Sequence, residues 1–477
     1  MIKKIIISTV FCLLFRISFS QNIGQSSFTL DDCIAIAIEN NLDLKAAELR
    51  RKTSKINYKQ SLNELLPNLN ANYNLGVNDG RSIDPFTNTY SNRELTFSNF
   101  GMNLRLTVFN GFRVLNSIKQ SKFNMKAAEM EQLEAKQNLI LDVTIGYIDI
   151  LNSRDRVELS KARLKTTEAQ LKRLEANYKE GEGNPANYSD IKGQYALDKV
   201  AIIEAENNFK SAVLGFKRIL NIQNEDEKEF ENISDLIAFD KYKLSANDVF
   251  NDALQNLATF KSRQFRVEAA NKGLKVARAN YFPEVSLFGQ FNTNYSSLAE
   301  TFTETGSSII ETGDFVTIDN QDFPVLNNKP QFEGNKISYK DQFDNNLSTV
   351  VGVSVRVPLF NGFRAKNNIG LQKVRLKESE LELENIKTLF NQNIKEAYNN
   401  MEAAFNKYDV LEDQVKAYEE SFRINEVRFN NGVSNIVNYI TSKNNMDNAQ
   451  LNLNRAKYEY LLRVKVLDYY RGKVVQL

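Results

Sequence analysis

The sequence predicts a mainly α protein with membrane β-strands, built as a duplicated helix-strand-strand-helix-helix unit. Three observations carry this reading. The chain repeats itself over a domain-sized length, each copy holds a pair of period-two segments of membrane length, and heptads run through the longest helical stretches. Four strands are too few to close a barrel, and an open sheet edge is not tolerated in lipid. The expectation therefore extends to several chains sharing a transmembrane β-barrel joined to an α-helical coiled-coil barrel, and a trimer would supply about twelve strands.

The chain has 477 residues, with 61 basic against 59 acidic side chains, 42% hydrophobic and 25% charged. This is ordinary globular composition with room for more than one domain. Balanced charge without a basic stripe argues against nucleic acid as a partner. Histidine is absent, which removes the commonest general base and the commonest metal ligand together, and no cofactor is expected.

Residues 1–20 read as a secretory signal peptide. Lys3 and Lys4 precede an apolar run from Ile5 to Phe15, Arg16 interrupts it, and Ser18-Phe19-Ser20 gives a small-x-small pattern before Gln21. Cys12 lies inside the apolar run, so no lipid anchor is expected at the mature N-terminus. Cleavage leaves Cys33 alone, without a partner for an internal disulfide. No later segment offers the roughly eighteen apolar residues of a transmembrane helix. An exported chain of this kind meets a membrane through strands.

The repeat is explicit. Phe109-Asn110-Gly111-Phe112-Arg113 recurs as Phe360-Asn361-Gly362-Phe363-Arg364, at an offset of 251. The same offset relates Tyr147 to Tyr398, Gly181 to Gly432, Asn187-Tyr188 to Asn438-Tyr439, and Val213 to Val464. Earlier in each copy the offset is 216, as in Ala37/Ala253, Asn40/Asn256 and Pro67/Pro283. The second copy thus carries 35 additional residues between Pro283 and Phe360. A unit this long is a duplicated domain, not a short solenoid repeat. The first copy is assigned to 21–221 and the second to 245–477, with a linker over 222–244.

After Pro67, Leu69, Ala71, Tyr73, Leu75 and Val77 alternate with asparagines, and Met102, Leu104, Leu106 and Val108 alternate before Phe109. Val285, Leu287, Phe291 and Tyr295, then Val351, Val353, Val355 and Val357, repeat the pattern. Period two means strands with one apolar and one polar face, expected at about 68–77, 100–109, 284–295 and 347–359. Pro67 and Pro283 stand at helix-to-strand junctions. Asn110-Gly111 and Asn361-Gly362 mark the return to helix. The intervening segments, roughly 78–99 and 296–346, read as exposed loops; the second carries nine acidic residues against three lysines.

Long helical hairpins are expected over 113–220 and 363–470. Val143, Ile150, Val157, Leu164, Leu171 and Tyr178 fall seven apart, as do Ile394, Met401, Tyr408, Val415, Phe422 and Phe429, a coiled-coil spacing. An unbroken helix from Arg113 to Lys179 would reach about 100 Å. Gly181, Gly183 and Asn184-Pro185 then turn the chain, with Asn184 as N-cap and Pro185 at the first helical position. Gly432 and Ser434 are expected to do the same in the second copy.

With these elements in place the chain resembles the TolC family of outer-membrane efflux proteins over residues 28 to 470. The turn Arg428-Phe429-Asn430-Asn431-Gly432 is similar to the R-[YF]-x-x-G pattern of that family's periplasmic helix tips. Asn177-Tyr178-Lys179-Glu180-Gly181 keeps the aromatic residue and the glycine but lacks the arginine. The resemblance implies an exit channel that spans outer-membrane lipid, with its helices in the periplasm. It also implies a homotrimer coupled through a periplasmic adaptor to an inner-membrane transporter. Docking residues implied at the tips are Arg428, Phe429, Gly432, Tyr178 and Gly181. The positions that ring the closed entrance in the family are Asn438 and Thr441, and in the first copy Asn187 and Asp190. Asn438 and Thr441 in place of acids remove the acidic ring of the second copy, which implies a weaker cation preference than the acidic relatives have.

The alternative is a periplasmic coiled-coil adaptor, but that architecture has one helical hairpin where this chain has two, each with its own strand pair. An enzyme is not expected. Asp31-Asp32 suits a helix N-terminus, and no nucleophile motif, phosphate loop or metal cluster accompanies it. A lone porin conflicts with the helical majority. No nucleotide-binding motif is present, so transport must be driven elsewhere.

Overall fold

The computed structural model describes residues 27–83, 88–222, 229–231 and 239–473; the signal-peptide segment lies outside them. In chain order the elements are β1 (Ser27–Phe28), α1 (Leu30–Asn40), α2 (Leu42–Asn63), β2 (Asn68–Asn78), β3 (Ser82–Ile83), β4 (Tyr90–Ser91), β5 (Leu95–Asn110), α3 (Arg113–Lys179) and α4 (Pro185–Leu220). The second copy follows as β6 (Glu229–Phe230), α5 (Ala246–Asn256), α6 (Ala258–Arg278), β7 (Glu284–Ser296), β8 (Glu300–Ile318), β9 (Gln321–Lys336), α7 (Tyr339–Asn345), β10 (Ser348–Arg356), α8 (Arg364–Asn430) and α9 (Ile436–Tyr470).

The chain divides into two units. Among the described residues, one holds Phe123–Glu268, those up to Lys55 and those from Lys377 onward; the other holds Ile56–Lys122 and Ala269–Leu376. The first is helical. Both copies open on the same capping box: Thr29 with Asp32 at the start of α1, and Ser245 with Asp248 at the start of α5. Each hydroxyl accepts from the backbone N–H three residues on while the carboxylate accepts from the cap's own N–H, so two otherwise unpaired helix donors are satisfied.

Heptad positions face inward, including Val143, Ile150, Val157, Ile394, Met401, Val415 and Phe422. Around Val143, Tyr147, Phe216 and Phe230 the aromatic rings meet edge-on, with Tyr147 and Phe216 6.2 Å apart and Phe216 and Phe230 5.5 Å apart. The Tyr147 hydroxyl lies 3.1 Å from the Phe28 carbonyl and 3.0 Å from that of Glu231. It thereby holds the short parallel pair β1/β6 onto α3. A second cluster gathers Val249, Leu257, Phe260, Ile394, Met401 and Leu467.

In the other unit β10, β7, β5 and β2 form one antiparallel sheet in that order. Pro67 and Pro283 directly precede β2 and β7. The segment 296–346 is exposed but is not a loop. Most of it is the antiparallel ribbon β8/β9, closed by Asp319 and Asn320 at positive φ, followed by the seven-residue helix α7. Within the shorter segment, β5 begins at Leu95 and β3 pairs with β4.

Candidate functional site

Register sorts the side chains of the four-stranded sheet onto two faces, because residues paired across strands share a side. One face carries Leu69, Leu104, Leu287 and Val353 with their period-two neighbours Leu75, Leu106, Phe291, Val351 and Val355. These are exposed, Val351 to 81%, except Leu106, which is half-buried. The opposite face carries carboxamides in rows: Asn70, Asn103 and Gln290 in one, Asn74, Asn99 and Asn294 in another. Between the rows Gly101 leaves room for the Asn72 and Asn292 amides, whose oxygens would each lie 3.2 Å from an added Cβ.

Aromatic residues mark both ends of the apolar face. At the helix-joined end Tyr281, Phe282, Phe112, Phe360 and Phe363 are exposed. At the far end Tyr295 and Tyr339 lie 4.9 Å apart, Tyr339 stacks on Phe343 at 4.5 Å, and the Tyr73 and Tyr339 hydroxyls are 3.2 Å apart. An apolar band between two aromatic rims is how a sheet meets a bilayer. Tyr339 and Phe343 escape a sequence reading because α7 is too short to show a period. Among the described residues β2 and β10 each pair on one side only, so the sheet does not close by itself.

The strand–helix junctions repeat atom for atom. Asn110 Oδ1 accepts from the Val114 N–H at 3.3 Å, and Asn361 Oδ1 accepts from the Ala365 N–H at 3.4 Å. Gly111 and Phe112 stand at φ 64° and 63°, Gly362 and Phe363 at 62° and 61°. Two successive left-handed residues throw the chain from strand to helix, and only the first position escapes the penalty of a Cβ.

The helical tips share a backbone and differ in setting. In both, the glycine takes positive φ (83° at Gly181, 72° at Gly432) and closes a Schellman motif. The Glu182 and Val433 N–H groups reach back to the Asn177 and Arg428 carbonyls. Asn184 caps α4 with Pro185 at its first position, as expected. The cap of α9 is Asn435, not Ser434; its Oδ1 accepts from the Asn438 N–H at 2.9 Å. Asn435 is the repeat mate of Asn184, and a neighbouring serine masks that in the sequence.

Tyr178 is exposed and stacks on Tyr188 at 5.2 Å. Its mate Phe429 is buried, 5.2 Å from the Tyr439 ring, beside Ile191, Phe422 and Ile436. Arg428 and Gly432 are exposed, as are Gly181, Asn438, Thr441 and Asp190, whereas Asn187 is half-buried.

The model of the family described as outer membrane efflux protein matches residues 33–221 and 249–472, most of both copies. The chain belongs to that family. The outer membrane protein TolC of Vibrio cholerae serotype O1 is 19% identical over 436 residues, covering 90% of this chain and 87% of the relative. Among solved structures, CusC aligns with a TM-score of 0.75 at 15% identity, covering 96% of each chain. VceC from Vibrio cholerae aligns at 0.71 with 14% identity over 93% of this chain and 96% of its own. The Neisseria gonorrhoeae MtrE channel aligns at 0.69 with 18% identity over 94% and 89%.

This outer membrane efflux protein is the outer-membrane exit channel of a tripartite efflux system. The family is a class of conduits, not of enzymes. Its members are normally trimeric and work with an adaptor and an inner-membrane transporter.

Behind the tips of the efflux protein lies a buried ionic quartet that joins its two copies. Lys443 and Asp198 are fully buried and Asp447 nearly so. Lys443 Nζ is 2.6 Å from Asp447 and 3.3 Å from Asp198, and Arg163 Nε is 2.7 Å from Asp198 and 3.3 Å from Asp447. Thr167, on α3, donates to Asp198, and the Gln194 amide does so at 2.8 Å. Burial pushes the Asp447 carboxyl up, offset in part by Lys443 and Arg163. For Asp198 the same burial is outweighed by Thr167, Lys443, Arg163 and Gln194, which together bring its carboxyl below the usual range. The sequence holds only a weak signal for this cluster. At the repeat offset Asp198 faces Ala449, and Asp447 faces Ala196. The copies differ in charge at these positions, although Asp413 opposite Ala162 shows that such a difference also occurs on an exposed face.

Proposed function

We propose that three copies of this chain form the conduit, β10 of each pairing with β2 of the next to close a barrel of about twelve strands. What supports this reading is the sheet itself: an apolar face rimmed by aromatics, a face of amides, and two open edges. In lipid such edges must be paired by another chain. The amide face lines the lumen and the apolar face meets outer-membrane lipid. Extraction in mild detergent tests the reading, with a trimeric mass recovered from the outer-membrane fraction expected. A soluble periplasmic monomer would overturn it.

The tips dock the periplasmic adaptor that couples the channel to its inner-membrane transporter. Arg428, Tyr178, Gly181 and Gly432 are offered to that partner, while Phe429 sets the turn from inside through Tyr439. Pull-down with tip variants reads this: Arg428→Glu is expected to lose the adaptor while keeping the trimer, and unchanged capture would count against docking there.

The periplasmic constriction is ringed by Asn438 and Thr441, with Asn187 and Asp190 from the first copy. Amides and hydroxyls offer dipoles where acidic rings offer charge. Asp190 leaves an acidic ring from the first copy alone, so the channel has a weaker cation preference and weaker block by multivalent cations than relatives that are acidic at both second-copy positions. Strong block in a planar bilayer would refute this.

A further inference from the structure

The ribbon β8/β9 is the main addition that the second copy makes to the repeat, and nothing in the conduit uses it. Its strands run 19 and 16 residues, so it reaches about 60 Å at the usual rise. Phe302 pairs with Gly334, Phe332 with Glu304, Ile309 with Asn328, Leu326 with Glu311 and Phe315 with Pro324. Followed along β9, these five fall on one face, while Ile310, Val316, Ile318 and Phe323 fall on the other toward the closed end of the ribbon. They are exposed, Phe302 to 69% and Ile309 to 72%. Over the stem, from Glu300/Lys336 to Ser308/Lys329, the other face holds Thr301, Thr303, Glu333, Asn335 and Gln331. The stripe amounts to several hundred Å², on the order of the largest apolar patch a soluble monomer leaves uncovered.

Three features of the ribbon select its occupant. Its edges are blunted: Pro324 and Pro330 interrupt β9, and register shifts at Glu304/Gly306 and Glu311/Phe315 disturb β8. Prolines and bulges protect against strand addition, so the contact is made through the face. The ribbon carries seven carboxylates against two lysines, which disfavours an anionic lipid surface. It also springs from β7 and returns through α7 into β10, the edge strand that meets the neighbouring protomer in the closed barrel.

We infer that the apolar face of β8/β9 packs against the same face of the other two copies, forming a three-ribbon collar on the outer mouth of the channel. The inference rests on the trimeric reading above. Phe302, Ile309, Phe315, Leu326 and Phe332 form the inside of the collar, and the Thr-, Asn- and Gln-bearing stem face is solvated.

Cysteine cross-linking in the full-length protein tests it. Cys33 is buried and its thiol is pushed up to about 12, so it stays silent. Ile309→Cys is placed inside the collar and Thr303→Cys outside it. Mild oxidation is expected to give covalent dimers from I309C and none from T303C, with T303C at least tenfold faster to label with an impermeant maleimide. A trimer in which both sites label equally and neither cross-links overturns the collar while leaving the channel reading intact. An I309C site that is protected but never joined to a second copy means another occupant, lipid or protein, and also overturns it. A monomeric mass from the same preparation would instead fail the trimeric reading.

Discussion

At the residue scale, sequence-identical positions in the two copies have different surroundings, and substitutions should separate them. Gly111 and Gly362 share a left-handed backbone, for which a Cβ costs about 1–2 kcal/mol. At Gly362 an added Cβ meets nothing within 4 Å, whereas at Gly111 it would stand 2.6 Å from Phe282 Cβ. Gly362→Ala is therefore expected to lower stability by about 1–2 kcal/mol and Gly111→Ala by clearly more, read from unfolding in denaturant. The ionic quartet gives a second contrast. Asp198→Asn leaves Lys443 and Arg163 buried with half their anionic partner, and breaking such a pair costs about 3–5 kcal/mol. Asp447→Asn removes a carboxylate that burial already disfavours, so its loss should be smaller. The pH dependence follows from the two directions. The Asp198 carboxyl is depressed, so its contribution is present above the unfolded value of 3.8 and is lost as pH falls through its lower folded value. The Asp447 carboxyl is raised, so its contribution is full below 3.8 and is lost as pH rises through its folded value. The deficit of D198N relative to the native protein should narrow only below pH 3.8, and a deficit independent of pH there would argue that shape, not charge, is what Asp198 supplies.

At the element scale, the sheet makes a one-residue distinction. Val353 pairs with Leu287 on the apolar face and Ser354 with Ser286 on the amide face. Val353→Arg is expected to destabilise the inserted protein by about 2–4 kcal/mol, while Ser354→Arg leaves folding near native and alters single-channel conductance. Equal losses would mean the two faces are not lipid and lumen. These strands were legible from sequence because Leu69 to Val77 and Val351 to Val357 alternate without interruption, and the heptads likewise because Val143 to Val157 repeat without a break. The ribbon was not legible. Along β8 its apolar residues sit at 302, 309, 310, 315, 316 and 318, a spacing that two bulges pull out of period two, and Pro324 and Pro330 argue against a strand in β9. The α9 cap was obscured by Ser434 beside Asn435. Burial of Phe429 against Tyr439 was invisible because Tyr178 and Tyr188, the matching pair, stack on the surface instead.

At the scale of the whole molecule, the duplication does not produce two equal tips. Phe429, Tyr439 and Lys443 are inside, while Tyr178 is exposed and Lys192, the mate of Lys443, lies at the surface with its ammonium 5.9 Å from the Tyr188 ring. A trimer of such chains is three-fold at its periplasmic end, not six-fold, and the second-copy residues Asn438 and Thr441 repeat three times around the proposed constriction. Both are exposed on the first turns of α9, one residue before and two residues after the buried Tyr439 that anchors the helix. Their side chains can thus change without disturbing the Phe429–Tyr439 contact. Asn438→Asp with Thr441→Asp would add two rings of three carboxylates each, and acidic rings favour cations. The double variant is expected to gain cation preference and to become sensitive to block by multivalent cations from the periplasmic side, with trimer mass and thermal stability unchanged. If selectivity and block both stay at native levels in a correctly assembled trimer, the constriction is built from other residues, and Asn187 and Asp190 become the positions to substitute next.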